Sequence, residues 1–150
     1  MKSWLFKTLI NLYPPYLGTG IRITRVAADY AHLRVEMPLR FYNRNYVGTH
    51  FGGSLYAMVD PFYMLMLIQI LGPEYVVWDR SARIDFIKPG RGRMRADFDI
   101  SPETVAEIKD RTVGGEKYLP TFTADIVGPE EAVVARATKE LYIRRRRDSN

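Results

Sequence analysis

Hydrophobic and polar positions alternate along much of this chain. Between Tyr30 and Met37, Ala31, Leu33, Val35 and Met37 fall on one side and Tyr30, His32, Arg34 and Glu36 on the other. Met94, Ala96, Phe98 and Ile100 oppose Arg95, Asp97 and Asp99, and Phe122, Ala124 and Ile126 oppose Thr121, Thr123 and Asp125. Further on, Val133, Ala135, Ala137, Leu141 and Ile143 share one side. A period of two predicts strands with one buried face. Residues 21–26 and 76–87, rich in branched and aromatic side chains, bring the set to about six strands. Lys88-Pro89-Gly90-Arg91-Gly92 reads as a hairpin loop between two of them, and Gly114-Gly115 and Gly128-Pro129 mark later turns. Ser101 followed by Pro102 predicts the start of a short helix through Asp110. Trp4, Leu5, Leu9 and Leu12 make one face of a short N-terminal helix within residues 1–17. Such a face packs on the domain or rests on a membrane surface.

One segment breaks the alternation. From Gly52 to Leu71 nearly every position is apolar, so a helix there must be covered on most sides. Asp60, Pro61 and Gln69 interrupt it, which argues for a core helix over a membrane span and against stable insertion. Asp60-Pro61 either starts a helix, with Asp60 as N-cap, or kinks one that began at Gly52. A curved antiparallel sheet of about six strands wrapped round one long helix buries the most apolar surface. The fold class is therefore α+β. A second copy would cover the part of the helix left outside the sheet, so a homodimer or a larger assembly is expected.

Composition narrows the class. The 150 residues, 47% of them hydrophobic, suit a single domain, 1–150, and exclude a disordered chain. With 0 cysteines there is no disulfide or thiolate chemistry, in keeping with a reducing cytoplasm. No secretory signal is recognisable at the start. Four of the +5 formal charges lie in Arg144–Arg147, so 144–150 reads as a basic tail on a nearly neutral body. A nucleic-acid-binding domain is not indicated. The 2 histidines, His32 and His50, stand far apart on different elements and no metal-ligand spacing exists. Phosphate loops, dinucleotide fingerprints and nucleophile elbows are absent from the sequence.

The stretch "NYVGTHFGGSLYAMVD", Asn45 to Asp60, resembles the signature of the hotdog-fold acyl-CoA thioesterase superfamily, in its histidine-glycine-glycine branch. It is nearest to a hotdog subgroup bearing "GTHFGGSLYAM" and "DPFYM". Phe51 stands where that branch has its histidine, with His50 one position earlier. The resemblance implies the hotdog fold, an acyl-CoA or related thioester substrate, and a site at a dimer interface. Dimers of dimers are a further possibility it carries. Asp60 is then general base or nucleophile, and Asn45 orients a water or the thioester carbonyl. The Gly52-Gly53 helix start is the oxyanion cradle, Gly53 N–H the candidate donor, and His50 a candidate participant. Phe51 falls at the substrate end. Asp79 and Ser81 would approach across the interface, and Lys88, Arg91 and Arg93 would meet the phosphates of coenzyme A. No cofactor is implied beyond the coenzyme A of the substrate. Two other functions fit the same fold: a non-catalytic acyl-thioester or lipid binder, and a dehydratase or hydratase pairing His50 with Asp60.

Overall fold

The alternating stretches pair into one antiparallel sheet. The computed structural model describes residues 1–146. Its strands are β1 (Arg22–Val26), β2 (His32–Met37), β3 (Tyr75–Phe86), β4 (Met94–Asp99), β5 (Lys117–Tyr118), β6 (Thr121–Val127) and β7 (Val133–Arg145). They lie in the order β1-β2-β4-β6-β7-β3, and β5 also pairs with β7. All six expected strands are present. The seventh, β5, is two residues long, too short to leave a periodic signal.

The inward register of the sheet is the apolar one. Leu33, Val35, Met94, Ala96, Phe98, Ile126, Ala137 and Leu141 are all sealed from solvent. Against them lies the segment 52–71, with Met58, Val59, Phe62, Met66 and Leu67 buried. Phe62 sits between the rings of Tyr16 and Phe98, at centroid distances of 5.7 and 5.3 Å. The segment long and apolar enough to cross a membrane is thus the core of this sheet.

That core segment is a broken helix. α3 (Gly52–Ala57) ends before Met58, and α4 (Phe62–Leu71) begins after Pro61, across a cis Asp60–Pro61 peptide. Pro61 takes the N-cap position of α4, so Asp60 is neither its cap nor a mid-helix residue. Proline cannot donate to the carbonyl one turn back, and the ladder stops there.

Three expectations change. Lys88–Gly92 is not a hairpin: β3 pairs with β7 and β4 with β2 and β6, so the loop crosses between distant strands. Pro-Gly punctuation specifies a turn, not the partner; the ladder with β7 decides. The N-terminal helix is two pieces, α1 (Ser3–Asn11) and α2 (Pro14–Thr19), divided where Pro14 and Pro15 restart the chain. β7 takes up Arg144 and Arg145, Arg145 reaching Glu74, so the basic tail begins later than expected. Arg147 and the rest of that tail lie outside the described residues. The expected helix after Ser101 is α5 (Pro102–Arg111), with the Ser101 hydroxyl accepting from Thr104 N–H at 3.1 Å.

Candidate active site

The alternation of β7 that buries Ala137 and Leu141 also buries Lys139, 1% exposed. A buried ammonium is costly unless charged partners answer it. Lys139 Nζ meets Asp60 Oδ1 in a short ion pair, Tyr56 Oη at 3.1 Å and Asp79 Oδ1 at 3.2 Å. Tyr56 Oη also donates to Asp60 Oδ1 at 3.1 Å. Three elements build this group. α3 supplies Tyr56, the break before α4 supplies Asp60, and β3 supplies Asp79. A bulge in the β3–β7 register between Asp79 and Ser81 sets Asp79 opposite Leu141 and Ala82 opposite Lys139. Bulges re-aim side chains in this way.

The charges do not balance: two carboxylates share one ammonium. Burial pushes the Asp79 carboxyl up, Lys139 pulls it down, and Asp60 adds to the rise; the net direction is up. Burial also works against the Lys139 charge. The hydrogen bonds to Asp60 and Tyr56, with the two carboxylates, outweigh it and hold the ammonium above its ordinary range. Asp79 contacts Lys139 as an ion pair off the hydrogen-bonding angle, which leaves its buried Oδ1 without a donor. Asp60 is held by its backbone too, since Tyr16 Oη donates to its carbonyl at 3.0 Å. Both side-chain donors converge on Oδ1 of Asp60, whose side chain remains 40% exposed. Among the described residues none donates to Oδ2.

The glycine end is a separate place in one chain. A groove of about 440 Å³ there is lined by Asn45, His50, Gly52, Phe86 and Lys88, among others; Asp60 is not in its walls. Ser54 and Leu55 N–H are both satisfied by the Phe51 carbonyl, whereas no acceptor meets the N–H of Gly52 or Gly53 among the described residues. Neither glycine has a positive φ, so the backbone does not demand them. What they omit is a Cβ. At Gly53 it would stand 2.6 Å from the Phe51 ring, and at Gly52 3.0 Å from Phe86.

Other candidates are already engaged. Asn45 Oδ1 accepts from Val47 and Thr49 N–H, and its Nδ2 donates to Thr49 Oγ1 at 2.9 Å. It organises its own loop. His50 is buried, with Nε2–H on the Gly92 carbonyl at 2.7 Å and its backbone N–H on the Gly90 carbonyl. Burial lowers its pKa despite that hydrogen bond. No hydrogen bond or ion pair joins it to Asp60 among the described residues. Ser81 Oγ leans on Glu140 at 3.5 Å, and Phe51 is exposed. Lys88 and Arg91 flank a second hollow of about 300 Å³ beside Gly128 and Pro129. Among the described residues no three acidic or histidine side chains gather as metal ligands.

A family model described as a domain of unknown function (DUF4442) matches residues 2–143, nearly the whole chain. The chain belongs to this family. No curated protein matches it in sequence. Among solved structures, this DUF4442 protein is similar to a Pseudomonas aeruginosa protein of unknown function described as a probable thioesterase, at a TM-score of 0.85. The two are 16% identical over 97% of each chain. It is similar to a Haemophilus influenzae thioesterase at a TM-score of 0.69, 14% identical over 93% of this chain and 88% of that one. A variant of the phenylacetic acid degradation protein PaaI from Thermus thermophilus aligns at 0.60, 24% identical over 87% and 98%. The sheet wrapped round 52–71 is the hotdog fold that the Asn45–Asp60 stretch suggested.

Within one DUF4442 chain, then, Asp60 and Asp79 come together on Lys139, while Asn45, His50, Gly52 and Lys88 share the groove at the glycine end. Neither Lys139 nor Tyr56 belongs to the Asn45–Asp60 signature as a named functional position. Lys139 had a signal: it is the charged position in the inward register of 133–143. Tyr56 had none, because its role depends on where Lys139 lies.

Proposed function

We propose that this DUF4442 protein hydrolyses acyl thioesters, with Asp60 as general base and acyl-CoA as the substrate form. One observation carries the reading. Two donors pin Oδ1 of a half-exposed carboxylate and leave Oδ2 open, which is how a base is aimed at a water. The water's oxygen attacks the thioester carbon as its proton passes to Oδ2. The oxyanion leans on the N–H of Gly53, or of Gly52, at the start of α3. The oxyanion then collapses to the acid as the C–S bond breaks, and the sulfur takes the proton from Asp60 Oδ2 and leaves as the thiol, which restores the carboxylate. Lys139 stays charged throughout and acts as a positioning group. Lys88 and Arg91 would meet the phosphates of coenzyme A.

Asp60 does not line the groove at the glycine end of its own chain, so this reading requires a homodimer that brings one copy's Asp60 to the other's Gly52-Gly53. The fold shared with named thioesterases supports the reaction class. The absence of cysteine agrees with a cytoplasmic setting. The test is release of free thiol from acyl-CoAs of graded chain length, aromatic ones included. Failure of a folded, assembled protein on every one of them would end this proposal.

A second reading has its own observation. Asp60 already has a charge partner in Lys139, which suits a protein that binds acyl thioesters without cleaving them. That reading expects heat of binding for an acyl-CoA analogue in calorimetry and no thiol release.

A further inference from the structure

α1 presents its faces the wrong way round for a helix lying on a soluble domain. Phe6 and Ile10 point inward, and so do Lys7 and Asn11. Asn11 Nδ2 donates to the Ile23 carbonyl at 3.0 Å, and Asn11 Oδ1 accepts from Ile23 N–H at 2.7 Å. Lys7 Nζ donates to the Thr24 carbonyl at 2.7 Å. These side chains satisfy the open edge of β1, as a neighbouring strand would. The outward face is left to Trp4, Leu5, Leu9 and Leu12, and Tyr13 and Leu17 continue it into α2. Trp4, Leu9 and Leu12 are more than half exposed, at 63%, 52% and 61%. Single exposed leucines are ordinary; a contiguous apolar face marks something that covers it.

The charges around this face indicate what does. Residues 1–21 hold Lys2 and Lys7 and no carboxylate, and the next charges along the chain are Arg22 and Arg25. Lys2, Arg22 and Arg25 are all exposed. A second copy seated face to face would set these like charges together, and Glu36, the cross-strand partner of Arg22, is already held by Arg93 at 3.1 Å. An anionic lipid surface answers all of them. Tryptophan and tyrosine favour the headgroup boundary, leucines enter the acyl layer, and lysine and arginine meet the headgroups. We propose that the outer face of α1 and α2 docks this protein on an anionic lipid surface. The binding is peripheral and reversible.

A nearby cavity gives the docking a purpose. Ile10, Tyr13, Tyr16, Pro61 and Leu65 line an open apolar hollow of about 210 Å³ between this face and α4. Tyr13 belongs to both the face and the pocket, and Tyr16 reaches the Asp60 carbonyl. On the thioesterase reading, on which this step alone rests, the pocket leads an acyl chain from the lipid towards Asp60. The substrate class narrows to thioesters of membrane-resident acyl chains.

The docking is tested without turnover, so its failure is separable from failure of the thioesterase reading. The full chain is floated with vesicles of phosphatidylglycerol and phosphatidylcholine, and with vesicles of phosphatidylcholine alone. Flotation with the anionic vesicles, reduced at high salt, is expected. In a Trp78→Phe variant, fluorescence from Trp4 should shift to the blue on the same vesicles. Lys2→Glu, which leaves the apolar face intact, should weaken binding by about threefold or more. Replacing Trp4, Leu9 and Leu12 together by serine should abolish it. Protein left at the bottom of the gradient with both vesicle types would overturn the proposal. So would a serine variant whose assembled mass in solution falls, since the face would then be a subunit contact.

Discussion

A lysine in the sealed register of a strand survives only where its charge is answered, and Lys139 has Asp60, Asp79 and Tyr56. Lys139→Met should therefore cost stability as well as rate. A fully buried pair that loses one partner costs about 3–5 kcal/mol; with Asp60 partly in water, about 2 kcal/mol is expected here, read from urea denaturation. Gly53→Ala should behave in the opposite way. The atoms nearest the new methyl group all belong to the exposed Phe51 ring, which can swing aside. Alanine favours helix over glycine, so stability should stay within about 0.5 kcal/mol of the parent. The methyl group would fill the approach to the open N–H groups, and thiol release should fall by about tenfold or more. Asp60 and the glycines were legible as single residues in the Asn45–Asp60 stretch. Their grouping was not, because Lys139 reaches Asp60 across 79 positions of sequence.

At the level of elements, period-two alternation located β2, β4, β6 and β7, because burying one face of a sheet imposes that period, and branched and aromatic side chains located β1 and β3. It could not say which strands pair. The Pro-Gly loop at 88–92 looks the same in a hairpin and in a crossover, and only the ladder of β3 with β7 separates them. The break at 58–61 was half legible: Pro61 announced an interruption, but not that both residues would fall between two helices. The loop before α3 is tied to the crossover loop through His50, on the carbonyls of Gly90 and Gly92. This tie makes a prediction about pH. Burial lowers the His50 pKa in the folded chain, so the unfolded chain takes up its proton first. Its contribution to stability is complete above the ordinary histidine value of 6.5 and is lost as pH falls from there through the lower folded value. The urea midpoint should drop over that window, and His50→Gln should flatten the drop. A midpoint equally steep in the variant would remove His50 from that role.

Across the whole molecule, the two edges of the sheet are treated differently. α1 covers β1 through Lys7 and Asn11. β3, 12 residues long, has β7 on one side and, among the described residues, no strand on the other, with Trp78 and Phe86 exposed. A long open edge with exposed aromatics invites a second strand, and a second copy of β3 would supply one. Sedimentation should accordingly give a mass of twice 17.4 kDa, or a higher even multiple. A monomer would leave Asp60 outside the groove at the glycine end and the proposed site incomplete. The most direct measurement compares thiol release from the best acyl-CoA by the parent protein and by Asp60→Asn, at equal folded concentration and assembled mass. A loss of about a hundredfold or more in kcat is expected, in keeping with removal of a general base. Full activity in Asp60→Asn would contradict that role.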